Sequence, residues 1–154
     1  MISHRKIINK LIKKNISISV AESCTGGLLS SSFTCQSGVS KIFNMGLITY
    51  SNKAKIDLLK ISQTFLKKYG AVSEETAGKM SINLYKKTKS RMVISTTGIA
   101  GPLGGSVKKP VGLVFISIKY KKNMKIIKKN FKGSRIQIQK KTIIAIFNEI
   151  NKLI

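Results

Sequence analysis

A chain of 154 residues with 42% hydrophobic content holds enough apolar material for one packed domain spanning 1–154 and too much for general disorder. Its apolar runs are far too short to cross a bilayer, and Lys10, Lys13 and Lys14 break up the stretch after the basic start, so no membrane contact and no signal-peptide core are expected and the protein reads as cytoplasmic. The net charge of +24 comes almost wholly from lysine, with Arg5, Arg91 and Arg135 the only arginines; the charge is scattered with little aromatic interleaving, which speaks against specific nucleic-acid binding and for incidental attraction to polyanions.

Residues 4–14 place Ile7, Ile8, Leu11 and Ile12 at helical spacing opposite lysines, which predicts an amphipathic opening helix. Asn15 ends it, and residues 16–20 alternate apolar and polar as a strand half facing a core. Ala21-Glu22-Ser23-Cys24-Thr25-Gly26-Gly27 comes next, with Leu28, Leu29, Ser32 and Phe33 able to share one side of a helix. Adjacent glycines permit a tight strand-to-helix turn, and the helix start aims unpaired N–H groups outward at an anion or a developing oxyanion. Ser23 is expected at the end of the strand, presented rather than buried. Such a turn serves structure alone or seats a nucleophile; the local pattern admits both. Cys24, with His4 the sole histidine and distant, reads as a small buried filler, and with Cys35 the only other cysteine no metal cluster or disulfide framework can be assembled.

Gln36-Ser37-Gly38-Val39 forms a turn cluster, and residues 42–50 read as a second strand in which Gly46 allows a bulge or a close approach. A short helix carries Lys53, Lys55, Ile56, Leu58 and Leu59. Ser62 caps a helical piece closed by Gly70, and Ser73 caps a helix to about Thr88, with Glu74 and Glu75 in its first turn and Ala77, Met80 and Leu84 on its buried face. Residues 92–97 form a strand that runs into a loop with Gly98, Gly101, Gly104 and Gly105, suited to a phosphate or carboxylate or simply to a surface excursion. Residues 113–120 and 124–131 predict a hairpin, and Ser134 caps a last helix with Ile136, Ile143, Phe147 and Ile150 on one face. The alternation predicts a three-layer α/β/α sandwich around a mixed sheet. The Ser23 turn, the turn from Tyr50 to Lys55 and the glycine loop after Thr97 all fall at C-terminal strand ends, where such sheets bind ligands.

In order, Ala21–Gly27, Thr49-Tyr50-Ser51-Asn52-Lys53-Ala54-Lys55, Gly70-Ala71-Val72-Ser73-Glu74-Glu75-Thr76, Thr97-Gly98-Ile99-Ala100-Gly101-Pro102 and Lys109-Pro110-Val111-Gly112 resemble the motifs of the CinA C-terminal domain family, the nicotinamide-nucleotide amidohydrolases. The resemblance covers nearly the whole chain and implies an α/β/α fold. It also implies hydrolysis of nicotinamide mononucleotide (NMN) to nicotinic acid mononucleotide and ammonia, without metal or cofactor, by a protein that forms a homodimer.

The same resemblance makes Ser23 the nucleophile and Tyr50 and Lys55 its activators. Glu22, Cys24, Thr25, Gly26, Gly27, Thr97, Gly98, Gly101 and Arg135 become the substrate-binding set, with Arg135 acting electrostatically. An amide carbonyl is a poor electrophile, so the serine must lose its proton as it attacks; a lysine serves as the base where its surroundings favour the neutral amine. Tyr50 is expected to relay the proton between Ser23 and Lys55, and the backbone N–H groups of residues 24–27 to receive the oxyanion. The chain departs from the family pattern in its charge and in Leu103, Val107 and Lys108 within the glycine loop, and it is expected to stand without the N-terminal domain some members carry. The alternative is a weakly active or non-catalytic domain of the same fold that binds nucleic acid or a protein partner.

Overall fold

The computed structural model describes residues 4–154, so of the basic start read over residues 1–6 only Met1, Ile2 and Ser3 lie outside the described residues. Two apolar faces drive the architecture. Along β1 (Ile18–Glu22), β3 (Met92–Gly98) and β4 (Leu113–Tyr120), alternate side chains point to opposite sides of one sheet. Ile18, Val20, Met92, Ile94, Ile116 and Ile118 meet helices α1 (His4–Lys13), α2 (Leu28–Thr34) and α6 (Arg135–Leu153). Ala21 and Val93 meet the opposite layer, α3 (Asn52–Leu59), α4 (Gln63–Tyr69) and α5 (Glu74–Thr88), through Leu59, Leu66, Met80 and Leu84. This is the α/β/α sandwich that the alternation predicts.

The sheet has the order β2-β1-β3-β4-β5, with β2 at Phe43–Ile48 and β5 at Asn123–Asn130. β2, β1 and β3 are parallel, whereas β4 and β5 run antiparallel, so the sheet is mixed. The chain leaves β1 in one direction through α2 and crosses back past it through α3, α4 and α5 on the other face. Opposite directions on opposite faces give both crossovers the same hand. All three parallel strands therefore end on one edge.

Several boundaries and faces differ from the sequence expectation. β1 starts at Ile18, two residues late, and it is buried throughout rather than half facing solvent, because helices cover both sheet faces. Its polar Ser19 is accommodated by a hydroxyl pair with Ser90 at 2.7 Å. The second strand is shorter than residues 42–50, with a register shift opposite Ile18 and Ser19. The hairpin partner runs one residue earlier than predicted. On α6 the buried stripe holds Ile138, Ile143, Ile146, Phe147 and Ile150, but Ile136 is 59% exposed, since the first helical turn overhangs the end of the core.

Local signals decided the helix ends. Ser51, Ser62, Ser73 and Ser134 each accept a backbone N–H as N-caps, and Gln137 completes a capping box with Ser134. Gly46 is the close approach anticipated: a Cβ there would lie 2.5 Å from Ser30 Oγ. Phe147 binds the first layer together, stacked on His4 with ring centroids 4.1 Å apart and packed on Phe33 at 4.9 Å. Truncation of this fully buried ring, Phe147→Ala, is expected to cost about 3–5 kcal/mol, read as a lowered urea midpoint at unchanged slope.

Candidate active site

β1, β2 and β3 deliver three chain segments to one edge of the sheet. There a cleft of about 240 Å³ is bounded by Ser23 and Cys24 after β1, by Tyr50 and Lys55 after β2, and by Thr97 and Gly98 at the end of β3. The glycine loop, including Gly101 and Leu103, forms one wall, and Arg135 of α6 closes a side. A larger cleft of about 510 Å³ lies between β5 and α6, but no hydroxyl or thiol side chain lines it; Glu149 there is paired with Lys125 and Lys152.

The central contact is between two buried polar side chains. Lys55 Nζ donates to Ser23 Oγ at 3.1 Å and to the carbonyl of Thr49 at 2.8 Å. Lys55 is 1% exposed and Ser23 7% exposed. The nucleophile candidate is thus more deeply set than a serine presented on a strand tip. Both partners of the amine are neutral oxygens, and burial disfavours the ammonium, which pulls the amine down from 10.5 to about 8. The adjacent Cys24 thiol is pushed up to about 12, chiefly by burial, and stays protonated, in keeping with a filler.

Helix α3 positions the lysine. Ser51 Oγ accepts from Ala54 N at 3.0 Å, which fixes the first turn, and Lys55 N bonds Ser51 O at 3.1 Å. Leu59 then packs into the second core layer and holds the helix against the sheet. On the serine side, Ser23 N donates to Thr96 O at 3.0 Å, and Gly26 N donates back to Ser23 O at 3.0 Å. Gly26 and Gly27 both take positive φ, +58° and +100°, as this tight turn requires.

Tyr50 does not stand between Ser23 and Lys55. It is 56% exposed, its hydroxyl accepts a hydrogen bond from Arg135 Nη2, and the lysine contacts the serine directly. Arg135 Nη1 also donates to Gly101 O at 2.6 Å, tying helix, glycine loop and tyrosine together at the cleft mouth. Thr97 Oγ1 donates to Ala71 O at 2.6 Å, which ties the end of β3 to the segment before α5.

Of the expected binding set, Cys24, Thr97, Gly98, Gly101 and Arg135 line the cleft, whereas Glu22, Thr25, Gly26 and Gly27 do not. Glu22 is fully buried, and its carboxylate turns inward to accept N–H groups of Gly27, Leu29 and Ser30. Thr25 donates to Glu22 Oε2 at 2.6 Å. The α2 amides are therefore occupied by the chain's own carboxylate. Ala71 and Val72, between α4 and α5, also line the cleft. Their motif is visible in the sequence, but nothing in apolar residues after a helix signals a site. Among the described residues, no group of three or more His, Cys, Asp or Glu side chains is placed to hold a metal ion, and no helix is long and apolar enough to cross a membrane.

A family model described as the CinA C-terminal domain matches residues 2–154, and the chain belongs to that family. A CinA-like protein from Prochlorococcus marinus is 49% identical over 138 residues, 89% of this chain and 32% of that protein. The chain spans about a third of the length of the curated relatives it matches. Among solved structures, the competence/damage-inducible protein CihA from Agrobacterium tumefaciens superposes with a TM-score of 0.92 at 34% identity, covering 97% of this chain and 92% of that one. A CinA superfamily protein from Escherichia coli gives 0.91 at 26% identity, covering 99% of this chain and 91% of that one.

The depressed amine carries a consequence for stability. The unfolded chain keeps this proton to about 10.5 and the folded chain releases it near 8, so more protons are bound when unfolded between those values. Stability should therefore rise with pH across that window. The slope should be flatter in Lys55→Met when the two proteins are compared by chemical denaturation at successive pH values.

Proposed function

We propose that the chain is an amidohydrolase that cleaves the carboxamide of NMN to nicotinic acid mononucleotide and ammonia, with Ser23 as nucleophile and Lys55 as its base. The observation that carries this reading is the 3.1 Å contact between a buried lysine amine, whose two partners are uncharged oxygens, and a buried serine hydroxyl on the wall of a cleft. A neutral amine accepts the serine proton without a histidine, and an amine titrating near 8 is neutral in a useful fraction of molecules at ordinary pH.

In the forward step Ser23 Oγ bonds to the carboxamide carbon and its proton passes to Lys55 Nζ. The resulting ammonium returns the proton to the departing nitrogen, which leaves as ammonia, and an ester on Ser23 remains. Water then gives a proton to Lys55 and attacks the ester; Ser23 recovers its proton as the acid is released. The amides of Gly26, Gly27 and Leu28 already donate to Ser23 O, Glu22 and Thr25 O, so of this turn the oxyanion falls to the amide of Cys24, which lines the cleft. Arg135 keeps donors beyond those used on Tyr50 and Gly101, and these suit the substrate phosphate. Tyr50, at the mouth, orients Arg135 and covers the ring. Assignment as one cytoplasmic domain that pairs with a second copy belongs to the same proposal.

Ammonia release from NMN by the purified protein tests the reading directly. Ser23→Ala and Lys55→Ala should each lower kcat/KM by on the order of 10³-fold or more while the circular dichroism spectrum is kept. Turnover at the wild-type rate in either variant would remove that residue from the reaction. The wild-type kcat/KM should climb with pH and level off above about 8, the value at which the Lys55 amine becomes neutral. Arg135→Ala should raise KM by about tenfold or more through loss of a charge-assisted hydrogen bond.

A further inference from the structure

We propose that Glu22 is a positioning residue that sets the distance between Ser23 and Lys55 without touching substrate, a role that rests on the reading of Ser23 and Lys55 as nucleophile and base. It differs from the substrate contact that the sequence resemblance implies for Glu22.

A carboxylate enclosed in protein must find all its hydrogen-bond donors there. Glu22 is fully enclosed at the end of β1, and an ionised carboxylate is acceptor-only, with about four lone-pair directions. Five donors reach it: Thr25 Oγ1 at 2.6 Å, Gly27 N at 3.1 Å, Leu29 N at 2.9 Å, Ser30 N at 2.8 Å and Ser30 Oγ at 2.6 Å. Its capacity is used up inside the protein. Because three of these donors are backbone N–H groups at the start of α2, the carboxylate fixes that helix and, with it, the turn that carries Ser23.

The same residue also reaches the other half of the pair. The Glu22 carbonyl accepts Thr49 N at 2.7 Å and Thr49 Oγ1 at 3.3 Å. The carbonyl of Thr49 is in turn one of the two acceptors of Lys55 Nζ. Glu22 thus holds the serine turn through its side chain and the lysine's seat through its backbone. A third strand is joined as well. Thr25 has one hydroxyl proton, which goes to the carboxylate, so the 2.8 Å contact between Thr25 and Thr96 requires Thr96 to donate. Thr96 O is the acceptor that holds Ser23 N.

Glu22→Gln keeps the shape and replaces one acceptor with an N–H₂ group facing N–H and O–H donors. The backbone link to Thr49 is untouched, so the serine turn is the part that shifts. A misplacement of about 1 Å at a reacting atom lowers rate on the order of 10²-fold. The test labels Ser23 with a fluorophosphonate and measures NMN hydrolysis alongside. In Glu22→Gln the labelling rate constant and kcat should both fall by on the order of 10²-fold, with labelling still reaching one per chain and KM for NMN within about twofold of wild type. A merely structural role would lower the final labelled fraction instead, since unfolded chains do not react, and that result would overturn the proposal. So would an unchanged labelling rate, or a raised KM with kcat intact.

Where Glu22→Gln fails to fold, Ser30→Ala removes one donor and leaves the carboxylate. Its labelling should slow by several-fold at full stoichiometry, and an unaltered rate overturns the proposal. Labelling of wild type at Ser23 without NMN hydrolysis would defeat the substrate assignment while leaving the comparison between wild type and Glu22→Gln decisive. Absence of Ser23 labelling in wild type would defeat both.

Discussion

A lysine amine taken out of water without a carboxylate beside it is the constraint on which this structure turns. Lys55 is as buried as the core isoleucines, and its two partners are a hydroxyl and a carbonyl, neither of which carries charge. Removing an ammonium from solvent is costly, and the group answers by giving up its proton more readily than a surface lysine does. The chain's few acids are deployed accordingly. Asp57 pairs with Lys53 on the outer side of α3, Glu149 serves the groove beside β5, and the carboxylate of Glu22 is saturated by α2 and its turn. None of them bonds to the Lys55 amine.

The sheet supplies the rest. Covering both faces with helices leaves strand hydroxyls no water, so they must find partners within the protein. Ser95 donates to Ala77 O at 2.6 Å, and Ser81 pairs with Ser117 at 2.7 Å; these join α5 to the sheet through polar contacts inside an apolar layer. Towards the C-terminal ends of the parallel strands the same practice continues at Thr96, Thr97 and Thr25, where the bonds organise the cleft walls instead of merely filling the interior. Site and core are built by one kind of contact, and the difference is only whether a cavity adjoins it.

Much of this is legible in the sequence because it is local. Serine N-caps, the acids after Ser73, the glycines of the Ser23 turn and the β-type run at 113–120 state their geometry within a few residues. Ser23 and Lys55 can be singled out as types, but their 3.1 Å contact joins segments 32 residues apart, and only the order of the strands creates it. The directions of Glu22 and Tyr50 are not legible. Glu22 neighbours Ser23 in sequence, yet the turn sends one side chain into the protein and the other to the cleft. Tyr50 lies five residues before Lys55, just ahead of α3, yet the start of α6 captures its hydroxyl, a partner 85 residues away. The exposure of Ile136 escapes the sequence for a related reason: periodicity gives a helix face but not where the core beneath it stops.

Helix α6 has a further consequence. Its first residue, Arg135, grips the glycine loop and Tyr50, while Phe147, about three turns on, lies stacked on His4 of α1, and Asn151 near its end accepts a hydrogen bond from Lys10. Nineteen helical residues make a stiff rod of roughly 28 Å. One rigid element thus meets the opening helix near one end and the cleft mouth at the other, with its middle packed on the sheet through Ile138, Ile143 and Ile146, so the height of the guanidinium over the cleft is set by the core beneath the helix.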